Sequence, residues 1–183
     1  MIAAARMLCG MNTPSTKQAA EVIIVGGGPA GLALACALDA AGIAPLVLEQ
    51  QPIEPLRAPA EDGRDIALTH RSRRVLTGLG VWQRLPEADV SPLKEARVVD
   101  DGAAPELTIA PRGASEGPLG WLVPNWCIRR AALEEFEQRG LRLECGAKVT
   151  RFERGAGSVE YLVPPECRDG GSLDPAAGQS DFP

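Results

Sequence analysis

A short apolar run, Glu21 to Val25, ends in Gly26-Gly27-Gly28-Pro29-Ala30-Gly31 and passes directly into an Ala/Leu-rich stretch. No other feature limits the folding of the chain so sharply. Continuous apolar residues that stop at glycines fit a strand buried on both faces of a parallel sheet. From Pro29 the pattern AGLALACALDAAG reads as a helix, with Gly42 as its C-terminal stop. Pro45 to Leu48 is a second buried strand. Strand, glycine turn, helix and strand follow one another within roughly the thirty residues of a βαβ unit.

The glycines form a G-x-G-x-x-G in register with those elements. Gly26 allows the tight turn, Gly28 lets the backbone approach a pyrophosphate without a β-carbon in the way, and Gly31 lets the helix pack closely on the strand. Pro29 and Ala30 open the helix, where a missing N–H costs little and the free N–H groups and positive dipole end face the phosphates. Glu49 closes the second strand near the ~20 residues past the glycines where a ribose-binding acid is expected. Its carboxylate, with Gln50 beside it, accepts from ribose hydroxyls and repels a 2′-phosphate. An ADP-containing dinucleotide is the ligand this arrangement predicts. The alternative is a glycine turn used only for packing.

The remaining composition narrows the function by exclusion. The chain has 183 residues, 45% of them hydrophobic, enough to bury the core of one domain. A net charge of −5 argues against nucleic acid, which needs a basic patch. No apolar run reaches the ~20 residues of a membrane span. The start, MIAAARMLCGMN, has an arginine inside its apolar run and makes a poor signal peptide. Met1, Met7 and Met11 are the only methionines, and Met11 is the expected beginning of patterned sequence. Cys9, Cys36, Cys127, Cys145 and Cys167 are scattered with no Cys-x-x-Cys, so neither a disulfide framework nor a zinc site is expected. A reducing cytoplasm suits them, and Cys36 reads as a core residue. His70 is the sole histidine, which leaves a Ser/His/Asp triad almost nothing to build on.

Three regions follow from the pattern along the chain: a leader without period at 1–20, a nucleotide-binding domain at 21–154, and an irregular tail at 155–183. Within the domain, residues 50–64 look too Pro-rich for a regular element. Ala67 to Leu85 carries Leu68, Val75, Leu76 and Leu79 at helical spacing. Ala96–Val99, Leu107–Ile109 and Trp121–Val123 read as strands, and Cys127–Arg139 as an amphipathic helix stopped by Gly140. Leu141–Leu143 and Ala147–Phe152 alternate like the two arms of a hairpin. Trp82 and Trp121 are expected in the core. The tail holds one strand, Val159–Val163. Its plain reading is disorder, and its sharper one is a gene truncated or shifted in frame beyond Arg154.

Two further blocks separate FAD from NAD. The opening VIIVGGGPAGLALACAL resembles that of FAD-dependent oxidoreductases. Asp62-Gly63-Arg64-Asp65-Ile66-Ala67-Leu68, Ser72, and Leu79-Gly80-Val81-Trp82 resemble the ubiquinone-biosynthesis hydroxylases, flavin aromatic monooxygenases with a D-G-R-x-x-A-L loop and an L-G-x-W helix end. Leu119 to Leu133, with Asn125 and Arg129, is similar to their third block. The resemblance implies an α/β fold: a Rossmann-like FAD-binding βαβ with a parallel sheet, plus a small antiparallel β element, with the C-terminal half of the family fold missing.

It also implies that Gly26, Gly28 and Gly31 hold the FAD pyrophosphate and Glu49 the adenosine ribose. Arg64 would reach the flavin side, and Arg129 would approach from the second helix, or Arg130 if the register is one residue off. The plainer readings are a solvated loop arginine for Arg64 and a surface helix charge for Arg129. The implied reaction uses NAD(P)H as co-substrate and O2 to hydroxylate a phenolic ring, the cofactor supplying the hard chemistry. A polyprenylated phenol would imply peripheral association with the inner membrane face, or with further subunits.

Family members carry an Asp-Gly motif after a strand, a Gly-Asp motif whose aspartate holds the ribityl chain, and a substrate sheet. Asp169-Gly170 has the letters of the first but follows VPPECR, so it reads as a loop. No turnover is expected from this chain alone. A non-catalytic FAD- or ADP-binding remnant and an NAD-binding oxidoreductase domain remain as alternatives.

Overall fold

The computed structural model describes residues 4–7, 20–100, 103–111, 117–154, 158–162 and 172–173. The elements run in chain order as β1 (Ala4–Met7), β2 (Val22–Val25), α1 (Pro29–Ala40), β3 (Pro45–Leu48), α2 (Glu54–Arg57), β4 (Asp65–Leu68) and α3 (His70–Gly78). Then come β5 (Ser91–Leu93), β6 (Ala96–Asp100), β7 (Ala103–Ile109), β8 (Gly120–Pro124), α4 (Asn125–Gln138), β9 (Arg142–Glu144), β10 (Arg151–Arg154), β11 (Ser158–Leu162) and β12 (Ser172–Leu173).

The predicted βαβ unit forms as read. Strands β2, β3 and β9 are parallel neighbours, with Val47 of β3 between Ile24 and Leu143, and β12 closes the sheet antiparallel to β9. Alternation along β3 sends Val47 to one face and Leu46 and Leu48 to the other. Val47 meets Leu32, Ala35 and Cys36 of α1, Ala131, Ala132 and Phe136 of α4, and Leu143, which form the main core. On the opposite face Leu46 and Leu48 pack with Ala20 and Ala147. Buried on both sides, β3 is apolar throughout, as a parallel strand must be. Helix α1 ends where Gly42 takes a φ of +75° and the Ile43 N–H reaches back to the Leu38 carbonyl.

Antiparallel pairing makes up the rest. Strand β8 lies between β4 and β5, β6 pairs with β7, and β11 lies between β1 and β10. Strands β1 and β11 fall in the segments assigned to leader and tail, and Ala4–Met7 runs parallel to Ser158–Tyr161. Asp169-Gly170, Cys9, Cys167 and Met11 lie outside the described residues.

Three expectations need correction. Within 50–64 the short helix α2 forms, because Pro55 sits in its first turn, where no N–H is needed, and Leu56 is buried. The element expected over Ala67–Leu85 is a strand followed by a helix. Thr69 caps α3 by accepting the Ser72 N–H at 3.1 Å, and Leu68 belongs to β4, opposite Trp121. The hairpin expected from Leu141–Leu143 and Ala147–Phe152 does not form. Strand β9 joins β3 in parallel, while Arg151–Arg154 pairs with β11. Alternation identifies a strand but not its partner, and the buried parallel edge of β3 takes Leu143.

Trp82 and Trp121 pack against the main core at a 5.8 Å edge-to-face contact, as expected, and Cys36 is fully buried. His70 donates from Nε2 to the Pro118 carbonyl oxygen at 2.7 Å, and its ring meets Trp121 edge-on.

Candidate cofactor site

The turn between β2 and α1 shows three glycines with three different reasons. Gly26 has a φ of +109°, which a side chain would oppose, and its N–H donates to the Leu48 carbonyl at 2.7 Å. At Gly31 a β-carbon would overlap the carbonyl oxygen of Gly26, so only glycine lets α1 lie this close to β2. Gly28 is different. A β-carbon there would meet nothing within 4 Å, so no packing demand explains the absence of a side chain.

Gly28 is the N-cap of α1, and no side chain caps the helix. Pro29 has no N–H, while those of Ala30 and Gly31 have no intrahelical acceptor. The Leu32 N–H closes the first bond, to Gly28, at 3.0 Å. Gly28 and Ala30 are exposed and Pro29 is half-buried. An anion at this helix start would meet free donors, a positive dipole end and no β-carbon.

Glu49 stands directly beside the turn. One carboxylate oxygen accepts the Gly27 N–H at 2.6 Å and the other accepts the Gln51 N–H at 2.9 Å. Its own backbone is held on both sides, N–H to the Glu144 carbonyl and carbonyl from the Ala147 N–H, each at 2.8 Å. Each carboxylate oxygen keeps a further lone-pair direction for a hydroxyl donor. The Gly27 position was not singled out from the sequence, yet a β-carbon there would come 3.1 Å from the Glu49 β-carbon. Gly27 is the residue that lets the acid reach the turn. The signal was present in the uninterrupted Gly26-Gly27-Gly28, whose middle member the fingerprint does not require. Gln50 lies exposed next to Glu49, and it is Gln51 whose N–H the acid takes.

The second group of predicted residues lies at the start of α4. Asp62 accepts from the Arg64 N–H and from Arg64 Nε at 3.0 Å, and also from Asn125 Nδ2 at 2.7 Å. These hydrogen bonds, those from the Arg64 side chain first, hold the Asp62 carboxyl down at about 2, against its ordinary 3.8. The Asn125 N–H returns to the Arg64 carbonyl at 2.8 Å. Arg64 itself is exposed and turned onto Asp62. Arg130 pairs with Glu134 at 3.6 Å and lies over Trp126, whereas Arg129 is half-buried with no ion pair among the described residues.

A cavity of about 600 Å³ joins the two groups. Pro29 and Ala30 from the α1 start, Ile66 and Leu68 from β4, and Asn125 and Ile128 from α4 line it. Its walls are apolar apart from Asn125 and the Thr69, Arg71 and Ser72 side chains of the α3 start. Of these, Pro29 and Ala30 were expected at the cofactor, whereas Leu68, Thr69, Arg71 and Ser72 were read as parts of one helix and not as cavity residues.

A glycine turn from a parallel strand into an uncapped helix, with an acid closing the next strand, defines a dinucleotide-binding α/β protein. The chain belongs to the FAD binding domain family, which matches residues 19–169. It is 40% identical over 123 residues to the ubiquinone hydroxylase UbiM of Neisseria meningitidis serogroup C, covering 64% of this chain and 26% of that protein. With the ubiquinone hydroxylase UbiL of Rhodospirillum rubrum it shares 37% over 155 residues, 84% of this chain and 36% of the other. Among solved structures, the Diels-Alderase PyrE3 of pyrroindomycin biosynthesis matches with a TM-score of 0.60 and 25% identity, over 82% of this chain and 30% of PyrE3. The chain thus spans about a quarter to a third of the length of these proteins. No helix among the described residues is long and apolar enough to cross a membrane.

Proposed function

We propose that the chain binds FAD as the cofactor-holding part of a flavin-dependent monooxygenase that hydroxylates a phenolic, ubiquinone-precursor-like ring with NAD(P)H and O2. The observation that carries the reading is the open face at Gly28. It is a glycine with no packing reason, at an uncapped helix start, one turn from a carboxylate set to accept ribose hydroxyls. The Ala30 and Gly31 N–H groups hold the pyrophosphate, and Gly26 shapes the turn. Glu49 takes the adenosine ribose with Gln50 at its flank. Arg64 and Arg129 stand toward the flavin end, and Arg64 leaves Asp62 to do so. When bound, the flavin supplies the electron transfer and oxygen chemistry.

Likeness to two ubiquinone hydroxylases supports the phenolic substrate class. The catalytic unit is a polypeptide of the relatives' full length. These residues on their own hold cofactor without turnover. A polyprenylated substrate would bring that unit to the inner membrane face from the cytoplasm, alone or with other subunits.

Absorption spectra of the purified chain, before and after incubation with FAD and gel filtration, test the proposal. Retained flavin absorbance, bleached by NAD(P)H in the full-length homologous context, is the expected result. Replacing Glu49 by Ala should lower FAD and ADP affinity together by about tenfold, the scale of the hydrogen bonds lost. A colourless protein that binds NADH and ignores FAD would instead establish the nicotinamide-binding alternative.

A further inference from the structure

Helix α3 carries its positive charge in the unfavourable half. His70, Arg71, Arg73 and Arg74 crowd its beginning, and no acidic residue stands in its first turn. The start of a helix favours carboxylates over cations, and like charges three or four residues apart repel. The chain has a net charge of −5, so carboxylates to relieve that crowding are plentiful. Elsewhere they are used. Arg57, Arg64, Arg84, Arg97, Arg130 and Arg139 each hold an aspartate or a glutamate. Arg71, Arg73 and Arg74 are exposed and hold none among the described residues. A local rule broken without compensation in the fold marks a place reserved for something else.

Helical geometry orders these residues around α3 as Arg73, His70, Arg74 and Arg71, so the three guanidinium groups share one exposed arc. One end of the arc is fixed. The Arg73 guanidinium lies 4.3 Å from the Trp121 ring centre and 5.1 Å from that of Trp82. Stacking on rings takes up the face of a guanidinium and leaves its in-plane N–H groups for an acceptor. The other end, at Arg71 and the neighbouring Val75, lines the cavity. An anion drawn to that cavity therefore meets a positive arc beside it on an otherwise acidic protein.

Resting on the FAD reading above, we propose that the exposed arc of α3 binds the phosphate groups of the second dinucleotide, and that this co-substrate is the 2′-phosphorylated one, NADPH. Arginine forks match a phosphate dianion. Glu49 makes the complementary choice at the glycine turn, where a carboxylate accepts from a ribose hydroxyl and repels a 2′-phosphate. The chain separates two adenine nucleotides by charge, one directed to the acid and the other to the arginines.

Calorimetric titrations of 2′,5′-ADP and of 5′-ADP into the full chain, with and without saturating FAD, test the assignment. Saturation with FAD should abolish 5′-ADP binding and leave 2′,5′-ADP binding in place. Arg71→Gln and Arg74→Gln should each weaken 2′,5′-ADP about tenfold, the scale of a hydrogen bond between charged groups, and Arg74→Lys should weaken it less. The melting temperature of Arg74→Gln should stay within about 2 °C of wild type, as for any exposed side chain, which shows that the variant is folded. Equal affinity for 2′,5′-ADP in wild type and both glutamine variants overturns the proposal. So does loss of 2′,5′-ADP binding on saturation with FAD, since both nucleotides then compete for the glycine turn. Arginine-dependent sedimentation with phosphatidylglycerol vesicles, without 2′,5′-ADP binding, overturns it too and gives the arc to a lipid surface. A chain that retains FAD and ignores 2′,5′-ADP refutes this inference alone. A chain that binds 2′,5′-ADP through these arginines and does not bind FAD refutes the FAD reading alone.

Discussion

Gly28 and Gly31 are three residues apart in one motif, and the structure assigns them opposite responses to the same added methyl group. At Gly31 a β-carbon lands on the Gly26 carbonyl oxygen and within 3.3 Å of an Ile24 methyl, so α1 must move off β2. Overpacking of this kind costs about 1–3 kcal/mol, here against backbone that cannot rotate aside. For a chain of this size the melting temperature of Gly31→Ala should fall by roughly 3–10 °C. At Gly28 the φ of −73° and ψ of 174° suit any L-residue, and the β-carbon meets nothing. Alanine is a poorer N-cap than glycine by about 0.5–1 kcal/mol, and stiffening the unfolded chain returns about 0.4–1 kcal/mol. Those terms cancel. Gly28→Ala should melt within about 2 °C of wild type and yet lose FAD affinity at least tenfold, because the methyl occupies the anion's place. Thermal melts followed by circular dichroism, with FAD titrations below the transition, read both effects. A Gly28→Ala variant that binds FAD as wild type does would refute the ligand-facing assignment. If it instead melts as low as Gly31→Ala, the open space around Gly28 is not real.

Acid unfolding should report on Asp62. Its carboxyl is held at about 2 in the folded chain against an ordinary 3.8, so the stability it contributes is complete above about pH 4 and lost as pH falls toward 2. Urea midpoints across that window should slope less in Asp62→Asn than in wild type. Arg139 binds Glu135 at 2.8 Å, Asp39 at 3.2 Å, and the carbonyls of Cys36 and Leu79. Its side chain is 23% exposed, so Arg139→Met, which strips two carbonyls of a donor, should cost about 2–4 kcal/mol in a denaturation series. A loss below about 0.5 kcal/mol would show that water replaces those bonds. Burial pushes the thiols of Cys36, Cys127 and Cys145 up to about 11. Iodoacetamide at pH 8 should therefore label these three only when the protein opens, and mass spectrometry of native and urea-treated samples separates the two states.

The parts legible in the sequence are those governed by neighbours along the chain. Glycines, Pro29 and an apolar run are local signals, and so the turn, α1, β3 and the place of Glu49 could be read directly. The parts that were missed depend on partners far away. Leu68 has helical spacing with Val75 and Leu76, but the cap at Thr69 and pairing with Trp121 put it in a strand. Leu143 looked like one arm of a hairpin because nothing nearby reveals that β3 has an open parallel edge. Gly27 carries meaning only once Glu49 is seen against it. The cavity follows the same rule, since its walls come from α1, β4, α3 and α4.

The anchoring of Glu49 by Glu144 and Ala147 has a consequence for synthesis on the ribosome. The glycine turn emerges early, and α1 and β3 can form as soon as they leave the exit tunnel. The acid beside the turn, however, has its backbone held only after the end of β9 has been made and docked. Such long-range closure is slow compared with the local helix and turn. A nascent chain stalled between β8 and β9 would present the helix start without a fixed acid, so in synthesis the glycine turn precedes the anchoring of its carboxylate.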